Sequence, residues 1–140
     1  MIKNLLFDLD GTLVNSQEGI TKSIQYAMEK LGRPTPPSEQ LIPCIGPPLI
    51  ISFQEILGLN LEDAEQAVAF YRERYGNKGK YELEVYDGIP NVLEKLQKRG
   101  FNLLVATSKP QGVAREILDH FQLLPHFSRV YGSMLDGKFK

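Results

Sequence analysis

Residues 2–9 form a short run that is apolar on both parities, with Leu5-Leu6-Phe7 at its centre. A run of this kind predicts a buried strand rather than an amphipathic helix. The turn signal Gly11 ends it within Asp8-Leu9-Asp10-Gly11-Thr12. Helical spacing then takes over, with Ile20, Ile24, Ala27, Met28 and Leu31 on one face. Asn15 and Glu18 stand at the spacing of a capping box, and Gly32 sits just past the helix end. Segment 33–48 is rich in proline and predicts mostly irregular chain. Residues 49–57 predict a short helix stopped by Gly58. Asn60 predicts the cap of a second helix reaching about Tyr75, with Leu61, Ala64, Val68 and Tyr71 inward. Gly76-Asn77-Lys78-Gly79-Lys80 is a polar break.

From Tyr86 the pattern changes. Ile89, Val92, Leu93 and Leu96 mark an amphipathic helix closed by Gly100, and residues 101–106 form a second continuous apolar strand. Thr107-Ser108-Lys109-Pro110 follows, with Pro110 placed to open a helix whose stripe is Val113, Ala114, Ile117, Leu118 and Phe121. Residues 127–132 predict a third, weaker strand. The ends of the chain therefore read as strands alternating with helices, the pattern of a parallel α/β sheet. The expected fold is a Rossmann-like parallel sheet core, three-layer α/β/α but incomplete, carrying an inserted helical cap. The core is expected over residues 1–14 and 83–140, and the cap over residues 15–82.

Composition narrows the function. The 140 residues hold 16 basic and 17 acidic side chains, for a net charge of -1. That balance offers no electrostatic case for nucleic acid or an anionic membrane as partner. The lone Cys44 excludes an internal disulfide and a thiolate zinc cluster. The opening apolar run is too short for a secretory or membrane segment, so a cytoplasmic location is expected.

The chemistry gathers at the strand ends, where open parallel sheets bind ligands. Asp8 and Asp10 follow the first strand, and Thr107, Ser108 and Lys109 follow the second. Paired carboxylates favour a hard cation such as Mg²⁺. Gly11 lets backbone N–H groups approach an anion. Thr107 adds a hydroxyl and Lys109 a positive charge. This set suggests phosphoryl chemistry. A calcium loop counted from Asp8 would place Gly and Glu where Leu13 and Gly19 stand, so that motif fails. Neither GxGxxG nor GxxxxGK[ST] is present.

Asp8-Leu9-Asp10-Gly11-Thr12-Leu13-Val14 resembles the first motif of the haloacid dehalogenase superfamily, DxDGT[L/V]. Val105-Ala106-Thr107-Ser108-Lys109-Pro110 resembles its second motif, and the region between resembles the helical C1 cap of its phosphoglycolate-phosphatase-like branch. Tyr86-Asp87-Gly88-Ile89-Pro90 is similar to that branch's return into the core. The resemblance implies a Mg²⁺-dependent phosphatase acting on a small phosphomonoester: phosphoglycolate, a nucleotide or a sugar phosphate. Asp8 would be the nucleophile and form an aspartyl-phosphate. Asp10 would act as general acid and then base. The Asp8 carboxylate and the Asp10 carbonyl would hold the metal. Thr107, Lys109 and backbone N–H groups near Leu9, Asp10 and Ser108 would hold the phosphoryl group. Gly46, in a loop similar to one that faces the active site in relatives, and Glu18 are substrate candidates in the cap.

Other readings compete at several positions. Thr107 is also a candidate helix N-cap, and Lys109 a solvated lysine. Glu18, Lys22, Arg72 and Arg74 read as a solvated helix face, Cys44 as a small, partly buried residue, and His120 and His126 as structural. Two departures from the family pattern stand out. Asn15 replaces a usual Asp. The family's third-motif Lys and fourth-motif acidic pair are also missing. Lys138 and Lys140 are candidates for that Lys, although its expected place is beyond residue 140. The chain is therefore expected to be C-terminally incomplete, which would leave the first strand an open apolar edge. The alternatives are a phosphomutase of the same fold and an inactive fragment or binding module. The expected assembly is a monomer or homodimer.

Overall fold

The structure, a computed structural model, describes residues 3–134. In chain order it runs β1 (Asn4–Phe7), β2 (Val14–Asn15), α1 (Gln17–Lys30), a 3₁₀ segment (Ser38–Cys44), α2 (Leu49–Ile51), which continues as a π-helical turn (Ser52–Ile56), and α3 (Leu61–Asn77). After a 3₁₀ turn (Gly79–Tyr81) come β3 (Glu84–Val85), α4 (Ile89–Lys98), β4 (Asn102–Pro110), α5 (Gln111–His120), a 3₁₀ turn (Leu124–His126) and β5 (Arg129–Ser133). The chain divides into two compact units: Met1–Asn15 with Glu84–Lys140, and Ser16–Leu83. Among the described residues no helix is long and apolar enough to cross a membrane.

The first unit is α/β. Its three strands are parallel in the order β1-β4-β5, and β2 pairs antiparallel with β3 in a separate two-stranded ladder. Parallel register puts Leu103, Val105 and Val130 on one face, where they are buried. Ala114, Ile117 and Leu118 of α5 and Leu93 of α4 are buried as well, and both helices contact β4. The Phe7 and Phe127 rings meet edge-on, centroids 6.1 Å apart.

The opposite face carries Leu6, Ala106 and Tyr131, all exposed. β1 is not buried on both faces: it lies at the edge of the described sheet with Leu6 66% exposed, the open apolar edge expected for the first strand. Val92 is also exposed, since Leu93 holds the buried position of α4. Pro110 is the N-cap of α5 and the last residue of β4, one place earlier than the expected first helical position.

The second unit, Ser16–Leu83, is helical. α1 lies along α3, burying Ile20, Ile24, Ala27 and Met28 on one and Ala64, Ala67, Tyr71 and Tyr75 on the other. Asn60 caps α3, its side chain accepting from the Asp63 N–H at 2.8 Å. Leu61, expected inward, is exposed at the first position of that helix. The capping box at the start of α1 is out of register. Asn15 is held in β2 opposite Glu84, so Ser16 takes the N-cap place. The polar break after Tyr75 is only partly a break, because α3 runs on to Asn77 and Gly79 is buried. A Cβ on Gly19 would overlap the Gly79 carbonyl oxygen, so α1 and this turn approach as only glycine permits.

Arg74 is not on a solvated face as expected. Its guanidinium donates to both Glu82 carboxylate oxygens, at 2.7 and 3.3 Å, and to Ser23 Oγ at 3.2 Å. The Arg74 and Glu82 side chains are only 17% and 14% exposed. The hydrogen bond from Arg74 holds the Glu82 carboxyl below its ordinary value. Burial pushes the Cys44 thiol up.

Three helices end on one device. After α1, Gly32 N–H donates to the Glu29 carbonyl and Arg33 N–H to that of Met28, both at 3.0 Å, with Gly32 at φ 73°. This is a Schellman motif, which needs a left-handed residue. α4 ends in the same way on Gly100, but α5 ends on Gln122, at φ 62°. Gln122→Gly is therefore expected to stabilise the protein by about 1 kcal/mol, read as a higher urea midpoint. An unchanged midpoint would contradict strain at this position. Glu82→Gln is expected to cost about 1.5–3 kcal/mol at neutral pH. A carboxyl held low in the folded state contributes stability above its ordinary value of 4.5, and that contribution is lost as pH falls through the lower folded value. The gap between wild type and Glu82→Gln should therefore close in urea titrations taken stepwise below that pH.

Candidate active site at the carboxyl ends of β1 and β4

Parallel pairing sets the site. Phe7 is in register with Val105, so Asp8 and Thr107 both leave the sheet at the carboxyl ends of neighbouring strands. Asp8 is exposed there, and its Oδ1 accepts the Leu9 N–H at 2.7 Å. The next residues form a tight loop on a buried anchor. Leu9, Leu13 and Val14 are fully buried, and the Leu9 carbonyl accepts the N–H groups of Thr12, Leu13 and Val14 at 3.3, 3.0 and 3.2 Å. Gly11 N–H donates to the Val14 carbonyl at 2.9 Å. Gly11 sits at φ 82° with open space where a Cβ would be, so the backbone angle, not crowding, selects glycine.

The second strand contributes a bulge. Ala106 pairs with Tyr131 and Pro110 with Ser133, so Thr107, Ser108 and Lys109 together oppose Gly132 alone. Such an insertion re-aims the side chains it carries. Thr107 is buried, and its Oγ1 accepts the Lys109 N–H at 3.1 Å, which leaves the hydroxyl hydrogen to offer to another acceptor. It is not a helix cap, because α5 starts after Pro110. Ser108 lies half-buried in the bulge. Lys109 reaches back to the first loop, with Nζ 3.3 Å from Asp10 Oδ2 and the two side chains 8% and 7% exposed.

Gly132 is the residue that sequence reasoning missed. A Cβ there would lie 2.6 Å from Gln111 Cα and 2.7 Å from the Lys109 carbonyl oxygen. Gln111 Oε1 accepts the Gly132 N–H at 3.4 Å. A glycine inside a strand is the local signal for such a close approach.

Asp8 and Asp10 offer hard oxygen donors of the kind Mg²⁺ takes. Mg²⁺ keeps several waters and needs only one or two carboxylates, so this donor set fits it. Among the described residues no group of three or more His, Cys, Asp or Glu side chains is arranged to hold a metal. Lys138 and Lys140 lie outside the described residues.

The remaining candidates belong to the helical unit or to the surface. Glu18, on α1, pairs with Lys22 at 3.4 Å, both half-exposed. Gly46 is exposed in the loop before α2, at φ 107°. Cys44 is buried. His126 Nδ1 is 2.7 Å from Gln97 Oε1, and the His120 ring meets Phe121 edge-on.

The chain is 51% identical over 134 residues to a 5'-nucleotidase of Pseudomonas aeruginosa, covering 96% of this chain and 61% of that protein. It is 38% identical over 133 residues to tyrosine-protein kinase PtkA of Mycobacterium tuberculosis, covering 95% of this chain and 45% of that one. Among solved structures, a protein described as a predicted phosphatase from Clostridium acetobutylicum superposes with TM-score 0.94 at 44% identity, over 99% of this chain and 64% of that one. The chain thus spans less than two thirds of the length of each. With residues 5–138 also matching the family model for haloacid dehalogenase-like hydrolases, the chain belongs to that family.

Proposed function

We propose that the protein is a phosphomonoesterase acting on a small phosphorylated metabolite through Asp8. The observation that carries this reading is the junction of the Asp8–Gly11 loop with the Thr107–Lys109 bulge at one end of a parallel sheet. A nucleophile, an acid–base group, a hydroxyl donor and a cation stand together there, as phosphoryl transfer requires. The name of the Pseudomonas relative makes a nucleoside monophosphate the first substrate to try.

In this mechanism an Asp8 carboxylate oxygen attacks phosphorus, and the ester P–O bond breaks. The leaving oxygen keeps that electron pair and takes a proton from Asp10. Asp10 then removes a proton from a water that attacks the phosphoryl group. The bond to Asp8 breaks, and inorganic phosphate and the free carboxylate result. The Leu9 N–H fixes the plane of the Asp8 carboxylate, and Thr107 offers its hydroxyl hydrogen to a phosphoryl oxygen. Mg²⁺, held by the Asp8 carboxylate and the Asp10 carbonyl, would offset the repulsion between anionic nucleophile and anionic ester.

The test is release of inorganic phosphate from a nucleoside monophosphate and from an aryl phosphate, with and without a chelator. Activity is expected to require Mg²⁺ and to fall roughly 10³-fold or more in Asp8→Asn. Turnover that survives both changes sinks the proposal. Radiolabel that passes to a protein or sugar hydroxyl instead of water would replace it with a transferase reading.

A further inference from the structure

Lys109 does not wait in solvent for an anion. Its ammonium lies 3.3 Å from Asp10 Oδ2, and both side chains are more than nine-tenths buried. A buried lysine is stable only with a partner, because the desolvated charge must be offset. Its backbone is fixed as firmly as its head group. The Lys109 N–H is taken by Thr107 Oγ1, and its carbonyl packs against Gly132, where any side chain would intrude. The Gln111 side chain closes the turn onto the Gly132 N–H. Asp10, for its part, sits in a loop tied to the Leu9 carbonyl. The pair therefore links two rigid backbone segments at the ends of β1 and β4.

We propose that Lys109 is a positioning residue for Asp10. Its ammonium fixes where the Asp10 carboxyl stands relative to Asp8, and the Gly132-dependent bulge fixes the ammonium. The proposal deepens the phosphatase reading and rests on it for the role of Asp10. The placement itself does not depend on activity. A misplacement of about 1 Å in such a group is enough to cost roughly 10²-fold in rate.

Lys109→Met keeps the length of the side chain and removes the charge. In a crystal structure of that variant the Asp10 carboxyl is expected to leave its place, and in Lys109→Arg to remain near it. An Asp10 carboxyl that stays put in Lys109→Met overturns the proposal, whatever the activity. Kinetics supply a second reading. Lys109→Met is expected to lose roughly 10-fold to 100-fold in kcat on an alkyl phosphate, whose poor leaving group needs a well-placed acid, with KM little changed. The loss should be smaller on an aryl phosphate, and Lys109→Arg should recover part of it. A raised KM with kcat intact would make Lys109 a phosphate ligand instead and overturn the positioning role. If Lys109→Met does not fold, Lys109→Gln carries the same two measurements. A wild type inactive on every ester would overturn the phosphatase reading, while the crystal structures would still decide the placement.

Discussion

The parallel pairing of β1 with β4 is the constraint on which the rest of the site depends. Phe7 and Val105 are far apart in the chain, and their register alone brings Asp8 and Thr107 to the same end of one sheet. A slip of β4 by one residue would turn its buried side chains, Leu103 and Val105, to the wrong face. Leu103 and Val105 on the packed face of β4 hold that register, so core packing and chemistry are set by the same few residues. The acidic loop beyond β1 adds little freedom of its own, since Leu9, Leu13 and Val14 fix it from beneath.

Where the chain follows local rules, its structure was legible. The apolar strand before Asp8, the glycine turn, the apolar strand that leads into Thr107 and the helices around them all announce themselves in residue pattern. So does the Asn60 cap. The contact between Lys109 and Asp10 was not legible, because it depends on a bulge whose cause, Gly132, lies on a third strand. The pairing of Arg74 with Glu82 crosses a helix end and a turn, and helical spacing made Arg74 look solvated. At Asn15 two local signals competed. A cap was available, but pairing with Glu84 in the β2–β3 ladder held the residue extended, and tertiary structure prevailed over the cap.

The two faces of the three-stranded sheet differ sharply. One is packed by Leu103, Val105 and Val130, while Leu6 and Tyr131 stand open on the other. A strand buried on a single face ordinarily alternates apolar and polar residues, but Leu5-Leu6-Phe7 is apolar on both parities and so reads as buried on both faces. Only the register assigns Leu6 to the same face as Tyr131.

The smallest element carries a consequence for the history of the chain. Val14 and Asn15 pair with Val85 and Glu84, so the polypeptide leaves the α/β unit and re-enters it at one ladder. Everything from Ser16 to Leu83 is, in polymer terms, a single closed loop. Closing such a loop costs only about 0.6 kcal/mol more for each doubling of its length. The insertion can therefore grow, shrink or be exchanged for another helical module at little thermodynamic penalty to the sheet. Asp8, Asp10 and Thr107 keep their register through any such change, because the β1–β4 pairing that sets it lies wholly within the α/β unit.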